Sequence, residues 1–142
     1  MQANTLPSQS VTVIFQGGIN VHHLGQGGDD GSDFLANVAK TRAALPHATI
    51  VLSTWDTLAL PTEFDSADKL GIDQLILNPD PGGLPNIKFG YDAPNNVNRQ
   101  IISTQAGLSQ VSTEYALKLR TDSYLVNDLS LIHISEPTRR YA

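Results

Sequence analysis

Arg120, Thr121 and Asp122 follow the apolar run YALKL, which spans Tyr115 to Leu119. A carboxylate in this position can hold a hard divalent cation such as Mg²⁺ or Mn²⁺, and a guanidinium can pair with phosphate oxygens. The plainer interpretation is that Asp122 caps a strand end or lies in solvent. The tripeptide by itself leaves both interpretations open.

Polar residues also end or follow three other apolar runs of the chain. They are Gln16 and Gly17; Ser53, Thr54, Trp55 and Asp56; and Asn78 and Asp80. Their short hydrogen-bonding side chains, together with one arginine and several carboxylates, suit a sugar, a phosphate and a divalent cation. Trp55 has two interpretations, one as an aromatic platform for a ligand and the other as a residue that fills the core.

The apolar runs that precede these residues predict four strands. The segment VTVIFQ is rich in β-branched and aromatic residues, and ATIVLST, QLILN and YALKL are the other three apolar runs. The predicted strands span residues 11–16, 48–54, 74–78 and 115–119.

Three helices are predicted between these strands. The first has a cap at Ser32 or Asp33 and a stop at Pro46, with apolar positions at Leu35, Val38, Ala39 and Leu45. The second has Phe64, Ala67 and Leu70 at helical spacing and ends at Gly71. The third lies within residues 95–111, where Val97, Ile101 and Leu108 share one face and Gly107 weakens its end.

Strands that alternate with helices are typical of an α/β fold with a mostly parallel sheet. In such a sheet, ligands bind beyond the carboxyl ends of the strands, where the connecting loops converge. The four sets of polar residues are therefore expected to meet at one edge of the sheet.

Several common nucleotide-binding motifs are missing from the sequence. No GxxxxGK[ST] pattern is present, and the segment GQGGDDG has Asp30 where the third glycine of a dinucleotide fingerprint would stand. These absences argue against a P-loop ATPase and a Rossmann dehydrogenase. We interpret the glycine-rich stretch as a mobile loop.

Composition restricts the partners and the compartment. The net charge of -5 argues against a nucleic-acid partner, and the absence of cysteine excludes disulfides, thiolate metal sites and cysteine nucleophiles. Apolar runs are far shorter than the ~18 residues of a membrane span, and residues 1–10 resemble a flexible start rather than a signal peptide. We expect a cytoplasmic protein.

Residues 129–142 differ from the rest of the chain, and we interpret them as a segment that is not part of the native protein. LSLIHISEPTR, Leu129 to Arg139, coincides with the translated end sequence of a transposase-type sequencing adapter. We therefore expect residues 129–142 to be a non-native tail and the native frame to run to about Asp128. On this interpretation the domain at residues 11–128 is truncated.

Four segments in a fixed order carry a family resemblance. VTVIFQG, ATIVLSTW, NNVNRQIIST and YALKLRTDSYL resemble the WavE lipopolysaccharide synthesis family, whose members are similar to glycosyltransferases of the GT-A type. The resemblance extends from about Val11 to Leu125. It implies a Rossmann-like nucleotide-binding half and transfer of a sugar from a nucleoside diphosphate donor to a glycan or lipid-linked acceptor.

The resemblance also implies roles for individual residues. Asp122 stands where glycosyltransferases of the GT-A type have a metal-binding acidic motif. The resemblance therefore implies that Asp122 and Arg120 are the catalytic candidates and that Asp122 is the ligand for Mg²⁺ or Mn²⁺. The chain departs from the usual pair of aspartates, because Arg120 occupies the place of the first aspartate. Two roles are open for Arg120, which are to pair with a phosphate or to fix the Asp122 carboxylate. The candidates for nucleotide-sugar binding are Gln16, Gly17, Ser53, Thr54, Trp55, Asp56, Asn96 and Arg99. Alternatives stay open for some of them, namely a structural turn at Gln16 and Gly17, a helix cap at Asn96 and a surface salt bridge at Arg99.

Two other functions stay open from the sequence. A sugar nucleotidyltransferase shares the order of strands and helices, although it would be expected to have a basic glycine-rich loop after its first strand. A non-catalytic nucleotide-sugar-binding fragment is the alternative outside enzymology. For the glycosyltransferase we expect a cytoplasmic location, at the inner face of the membrane if the acceptor is lipid-linked.

Overall fold

A four-stranded, all-parallel sheet forms the centre of the protein. The computed structural model describes residues 7–82 and 97–126. The strands are β1 (Val11–Gln16), β2 (Thr49–Trp55), β3 (Gln74–Asn78) and β4 (Tyr115–Arg120), in the spatial order β3-β2-β1-β4. This arrangement confirms the predicted α/β class with a parallel sheet.

The chain changes direction across the sheet between β3 and β4. It builds outward from β1 through β2 to β3 and then crosses to the other side of β1 to add β4. β1 and β4 are in register from Val11 opposite Tyr115 to Gln16 opposite Arg120. Their carboxyl ends therefore flank the point at which the strand order reverses, which is where open α/β sheets bind ligands.

One face of the sheet carries the main apolar core. Helix α1 (Phe34–Ala44) packs there, and the rings of Phe15 and Phe34 meet edge to face with centroids 5.2 Å apart. Full burial of such a side chain contributes about 1.5–3 kcal/mol. The other core residues include Val11, Val13, Leu45, Ile50, Leu52 and Leu70.

Helix α3 (Val97–Leu108) packs against the opposite face of β1, because alternate residues of a strand point to opposite sides. Gly107 allows this close packing, since a Cβ atom at that position would overlap Cγ2 of Ile14. The predicted apolar face of α3 is wrong, because Ile101 and Leu108 are each 48% exposed. Small residues, Ser103 and Gly107, face the sheet instead.

The second predicted helix is shorter than its apolar spacing indicates. Phe64 ends a separate 3₁₀ turn (Thr62–Phe64), and α2 spans only Ala67–Leu70. The Ser66 hydroxyl accepts a hydrogen bond from the Lys69 amide and so starts a new helix after the turn. Gly71 ends α2 in the left-handed conformation, as predicted.

Candidate functional site

The loops that follow β1 and β4 are joined to each other by hydrogen bonds. The Thr121 amide donates to the Gln16 carbonyl at 3.2 Å, and the Thr121 hydroxyl donates to the Gly18 carbonyl at 2.6 Å. Gly17 has a φ of 113°, a conformation that favours glycine, and its amide donates to the Ser53 carbonyl at 3.2 Å. The two loops are therefore held as one wall at the strand-order reversal.

Asp33 organises the glycine-rich loop of residues 25–31. Its carboxylate accepts hydrogen bonds from the amides of Gly25, Gly27 and Leu35 at 2.7–3.0 Å. Burial alone would raise the pKa of this carboxyl, but the amide donors hold the pKa below its ordinary value. The glycine-rich loop that we interpreted as mobile is thus fixed to the first turn of α1.

Asn37 connects this loop to the end of β4. The side chain is fully buried, and its Nδ2 donates to the Gly31 carbonyl at 2.9 Å and to the Thr121 carbonyl at 2.8 Å. Gly31 lies so close to the Asp122 carbonyl oxygen that a Cβ atom at Gly31 would overlap it. The backbone at Thr121 and Asp122 is therefore positioned from α1.

Further contacts attach the segment after Asp122. The Tyr124 hydroxyl donates to the Asp29 carbonyl at 2.7 Å, and the Lys40 ammonium lies 4.4 Å from the centre of the Tyr124 ring. Lys40 also pairs with the Asp29 carboxylate at 2.8 Å. These contacts hold the glycine-rich loop and the segment after β4 side by side.

The first cleft lies between these loops and has a volume of about 380 Å³. Arg120 and Asp122 line it and form an ion pair at 2.9 Å, with side-chain exposures of 77% and 55%. The remaining lining includes Gly17, Gly18, Asn20, His23, Gly31 and Ser32. An exposed carboxylate and an exposed guanidinium are thus both accessible to a ligand in this cleft.

The second cleft has a volume of about 490 Å³ and lies on the α3 side of the same wall. Gln16 is at its base, where its Oε1 accepts hydrogen bonds from the hydroxyls of Ser103 and Thr104. Trp55 lines this cleft although the residue is only 7% exposed. The residue therefore fills the core, as the second interpretation of Trp55 predicts, and borders the cleft.

Arg99 reaches the second cleft from α3. Its Nε donates to Oδ1 of Asp80 at 2.8 Å and its Nη2 lies 3.3 Å from Oδ2, so the two side chains pair through both carboxylate oxygens. The Arg99 guanidinium holds the pKa of the Asp80 carboxyl below its usual value. Asp80 thereby fixes the direction of Arg99 at the edge of the sheet.

Three other candidates from the sequence, Ser53, Thr54 and Asp56, line neither cleft. Ser53 and Thr54 are fully buried, and the Ser53 hydroxyl accepts a hydrogen bond from the Asn78 side chain at 2.9 Å. Asp56 is exposed after β2, and its amide donates to the Asn78 carbonyl. Asn96 and the tail at residues 129–142 lie outside the described residues.

The described residues do not form a metal site from protein ligands alone. Within residues 7–82 and 97–126, no three His, Cys, Asp or Glu side chains converge on one point. A cation at Asp122 would therefore take its other ligands from bound phosphate and water, which is a common arrangement for Mg²⁺. In the same two ranges, none of the helices has the length and hydropathy that crossing a bilayer requires.

Sequence reasoning missed Asn37, Gly31 and Lys118. Asn37 carries a readable signal, because it is four residues after the capping Asp33 and so lies on the same helix face. Lys118 carries another, because it shares a strand face with Arg120. The role of Gly31 depends on a contact with Asp122 across the fold, and the local sequence does not indicate it.

One of three comparisons with known proteins supports the resemblance noted in the sequence. Comparison with curated proteins and with solved structures finds no significant match. The family model described as WavE lipopolysaccharide synthesis matches residues 11–141. This range includes both loops of the first cleft and nearly the whole sequence. The chain therefore belongs to the WavE lipopolysaccharide synthesis family.

Proposed function

We propose that this chain is the donor-binding part of a glycosyltransferase that builds lipopolysaccharide or a related surface glycan. In the reaction, the bond between the anomeric carbon of the donor sugar and the diphosphate breaks. A bond forms from that carbon to an acceptor hydroxyl, which gives up its proton. The diphosphate leaves with the electron pair, so the enzyme must stabilise negative charge there.

The position of the first cleft is the observation that supports this proposal. The cleft lies at the carboxyl ends of β1 and β4, where the strand order reverses. Crevices at this position bind nucleotides in open α/β sheets. Gly17 and Gly18 leave room for a ligand to approach the backbone, and Arg120 supplies a positive charge.

Asp122 and Arg120 would have different roles at the diphosphate, with Asp122 as a metal ligand and Arg120 as a phosphate-binding residue. Asp122 is an exposed carboxylate that fits one ligand position of Mg²⁺ or Mn²⁺, and the ion would neutralise charge on the leaving group. Arg120 would pair with a diphosphate oxygen once the cation takes its place beside Asp122. Gly17 would lie against the nucleoside, and Trp55 and Arg99 would lie beyond the wall that the two clefts share.

The acceptor in this proposal is a glycan, lipid-linked or otherwise, and no nucleic acid takes part. The enzyme would act in the cytoplasm, at the inner face of the membrane when the acceptor is anchored there. The family assignment supports the glycan class of the acceptor.

Binding of UDP to the full 142-residue chain tests the proposal. We expect Mn²⁺ to strengthen UDP binding and Asp122→Ala to remove that gain, because the variant lacks the carboxylate that holds the ion. Asp68→Ala is the control, since Asp68 is an exposed aspartate on α2 that lines neither cleft. UDP affinity that is the same with and without Mn²⁺, in both wild type and Asp122→Ala, would contradict the metal role.

A sugar-transfer assay on the same chain tests a different question. Transfer of a sugar would show that the chain is an enzyme and not a non-catalytic binder.

A further inference from the structure

Three basic side chains meet at the second cleft. Lys118 and Arg120 lie on the same face of β4, and Arg99 reaches the cleft from α3. Helix α3 packs against β1, β2 and β3, and both β4 side chains are exposed. Among the described residues that line this cleft there is no aspartate or glutamate.

Among the described residues, Lys118 is the charge in this group that has no counter-ion. Arg99 pairs with Asp80, and Arg120 pairs with Asp122. Within residues 7–82 and 97–126, Lys118 makes neither a hydrogen bond nor an ion pair through its side chain. In a chain with a net charge of -5, the cleft is therefore a local positive site.

The uncharged lining of the cleft suits a sugar ring. Gln100 contributes an exposed amide on α3, and Trp55 borders the cleft but is itself buried. Amides can bind hydroxyl groups as donors or acceptors. Positive charge beside an exposed amide fits an anionic sugar.

We propose that the second cleft binds the acceptor through a phosphate or carboxylate on its sugar, with Lys118 as the main ionic contact. This inference rests on the proposed function, in which the donor nucleotide occupies the first cleft. The two clefts share the wall formed by Gln16, Gly17 and Gly18, and Arg120 lines both. Ligands on the two sides of one short wall can bring their reacting groups together, which transfer requires.

Titration of the full chain with simple sugars tests the proposal. Glucose 6-phosphate, glucuronate and glucose are each added with and without saturating UDP and Mg²⁺. We expect at least one of the two anionic sugars to bind with UDP present, roughly tenfold more tightly than glucose. Comparison of glucose 6-phosphate with glucuronate shows whether the cleft takes a phosphate or a carboxylate.

Variants of Lys118 assign the binding to this cleft. Lys118→Gln should weaken binding of the anionic sugar by roughly tenfold and leave UDP binding unchanged, and Lys118→Arg should preserve both. Lys69→Gln removes an exposed lysine on α2 that lines neither cleft, and it should change neither affinity.

Three results would overturn this inference. The first is competition between UDP and the anionic sugar for binding. The second is a loss of UDP affinity in Lys118→Gln. The third is that the charged sugars bind no more tightly than glucose, or that no sugar binds. Failure of the proposed function has a different signature: UDP does not bind, or Asp122→Ala has no effect with Mn²⁺, while binding of the anionic sugar still depends on Lys118.

Discussion

Asp33 joins helix α1 to the glycine-rich loop through its carboxylate. The sequence predicts Asp33 or Ser32 as the helix cap, and the structure places Asp33 there. The hydrogen bonds to Gly25 and Gly27 could not be predicted, because they depend on how the loop folds back over the first turn of α1. The sequence thus indicates the local role of Asp33 as a helix cap, but it does not indicate the longer-range role of Asp33 in holding the glycine-rich loop.

Replacement of Asp33 tests both roles. We expect Asp33→Asn to lower the free energy of unfolding at neutral pH by about 1–3 kcal/mol, because the asparagine NH₂ group cannot accept the hydrogen bond that Oδ2 accepts from the Gly27 amide. The folded-state pKa of Asp33 lies below the ordinary value of 3.8, so its carboxylate stabilises the fold above that pH. This contribution is lost as the pH falls through the folded-state pKa.

Urea unfolding between pH 7 and pH 3 measures the difference. Asp33→Asn should lose less stability than wild type on acidification, while Asp68→Asn, at an exposed position on α2, should follow wild type. Parallel acid profiles for wild type and Asp33→Asn would show that the carboxylate contributes nothing.

Gly31 gives a second test at the scale of one residue. Gly31 and Gly25 have nearly equal φ angles of 85° and 84°, so alanine at either position costs about 1–2 kcal/mol of backbone strain. A Cβ atom at Gly25 meets no atom within 4 Å, whereas one at Gly31 overlaps the Asp122 carbonyl. We expect Gly31→Ala to be the less stable variant in urea and to weaken Mn²⁺-dependent UDP binding. Equal stability and equal UDP binding in the two variants would show that this contact does not position Asp122.

Among the elements, the strands follow the sequence most closely. β1 and β3 have the predicted bounds, because a short apolar run carries a clear signal both in the fully buried β1 and in the half-buried edge strand β3. Helix α3 does not follow its apolar pattern, because close packing against β1 selects Ser103 and Gly107 rather than larger side chains. An apolar period predicts that a helix exists, but here it does not predict which face is buried.

The packing of α3 on β1 predicts a coupling between Gly107 and Ile14. Alanine in a helix interior is favoured over glycine by about 1 kcal/mol, but at residue 107 its Cβ would overlap Cγ2 of Ile14. We expect Gly107→Ala to lower the free energy of unfolding by about 1–3 kcal/mol, a typical cost of overpacking.

A double-mutant cycle in urea measures this coupling. Ile14→Ala removes the atom that alanine at residue 107 would overlap. The double variant should therefore lose less stability than the sum of the two single losses. Additive losses would show that α3 can shift to accommodate the extra methyl group.

For the whole molecule, the sequence predicts the architecture better than the site. The order of elements predicts a parallel sheet, and the sheet brings the ends of β1 and β4 together as expected. The formation of two clefts on opposite sides of one wall depends on contacts between residues far apart in sequence, such as Asn37 with Thr121 and Ser103 with Gln16. Such contacts are a property of the folded chain, and no local pattern contains them.

The location of a nucleotide and its cation is the measurement that tests the central claim most directly. We would record amide NMR spectra of the ¹⁵N-labelled chain with UDP and Mg²⁺, and then replace Mg²⁺ with Mn²⁺, which broadens signals close to the ion. The account predicts broadening centred on Thr121 and Asp122 and extending to Gly31 and Gly17, across the first cleft. Broadening centred on Asp56 or Asp80 instead would contradict a donor site between β1 and β4.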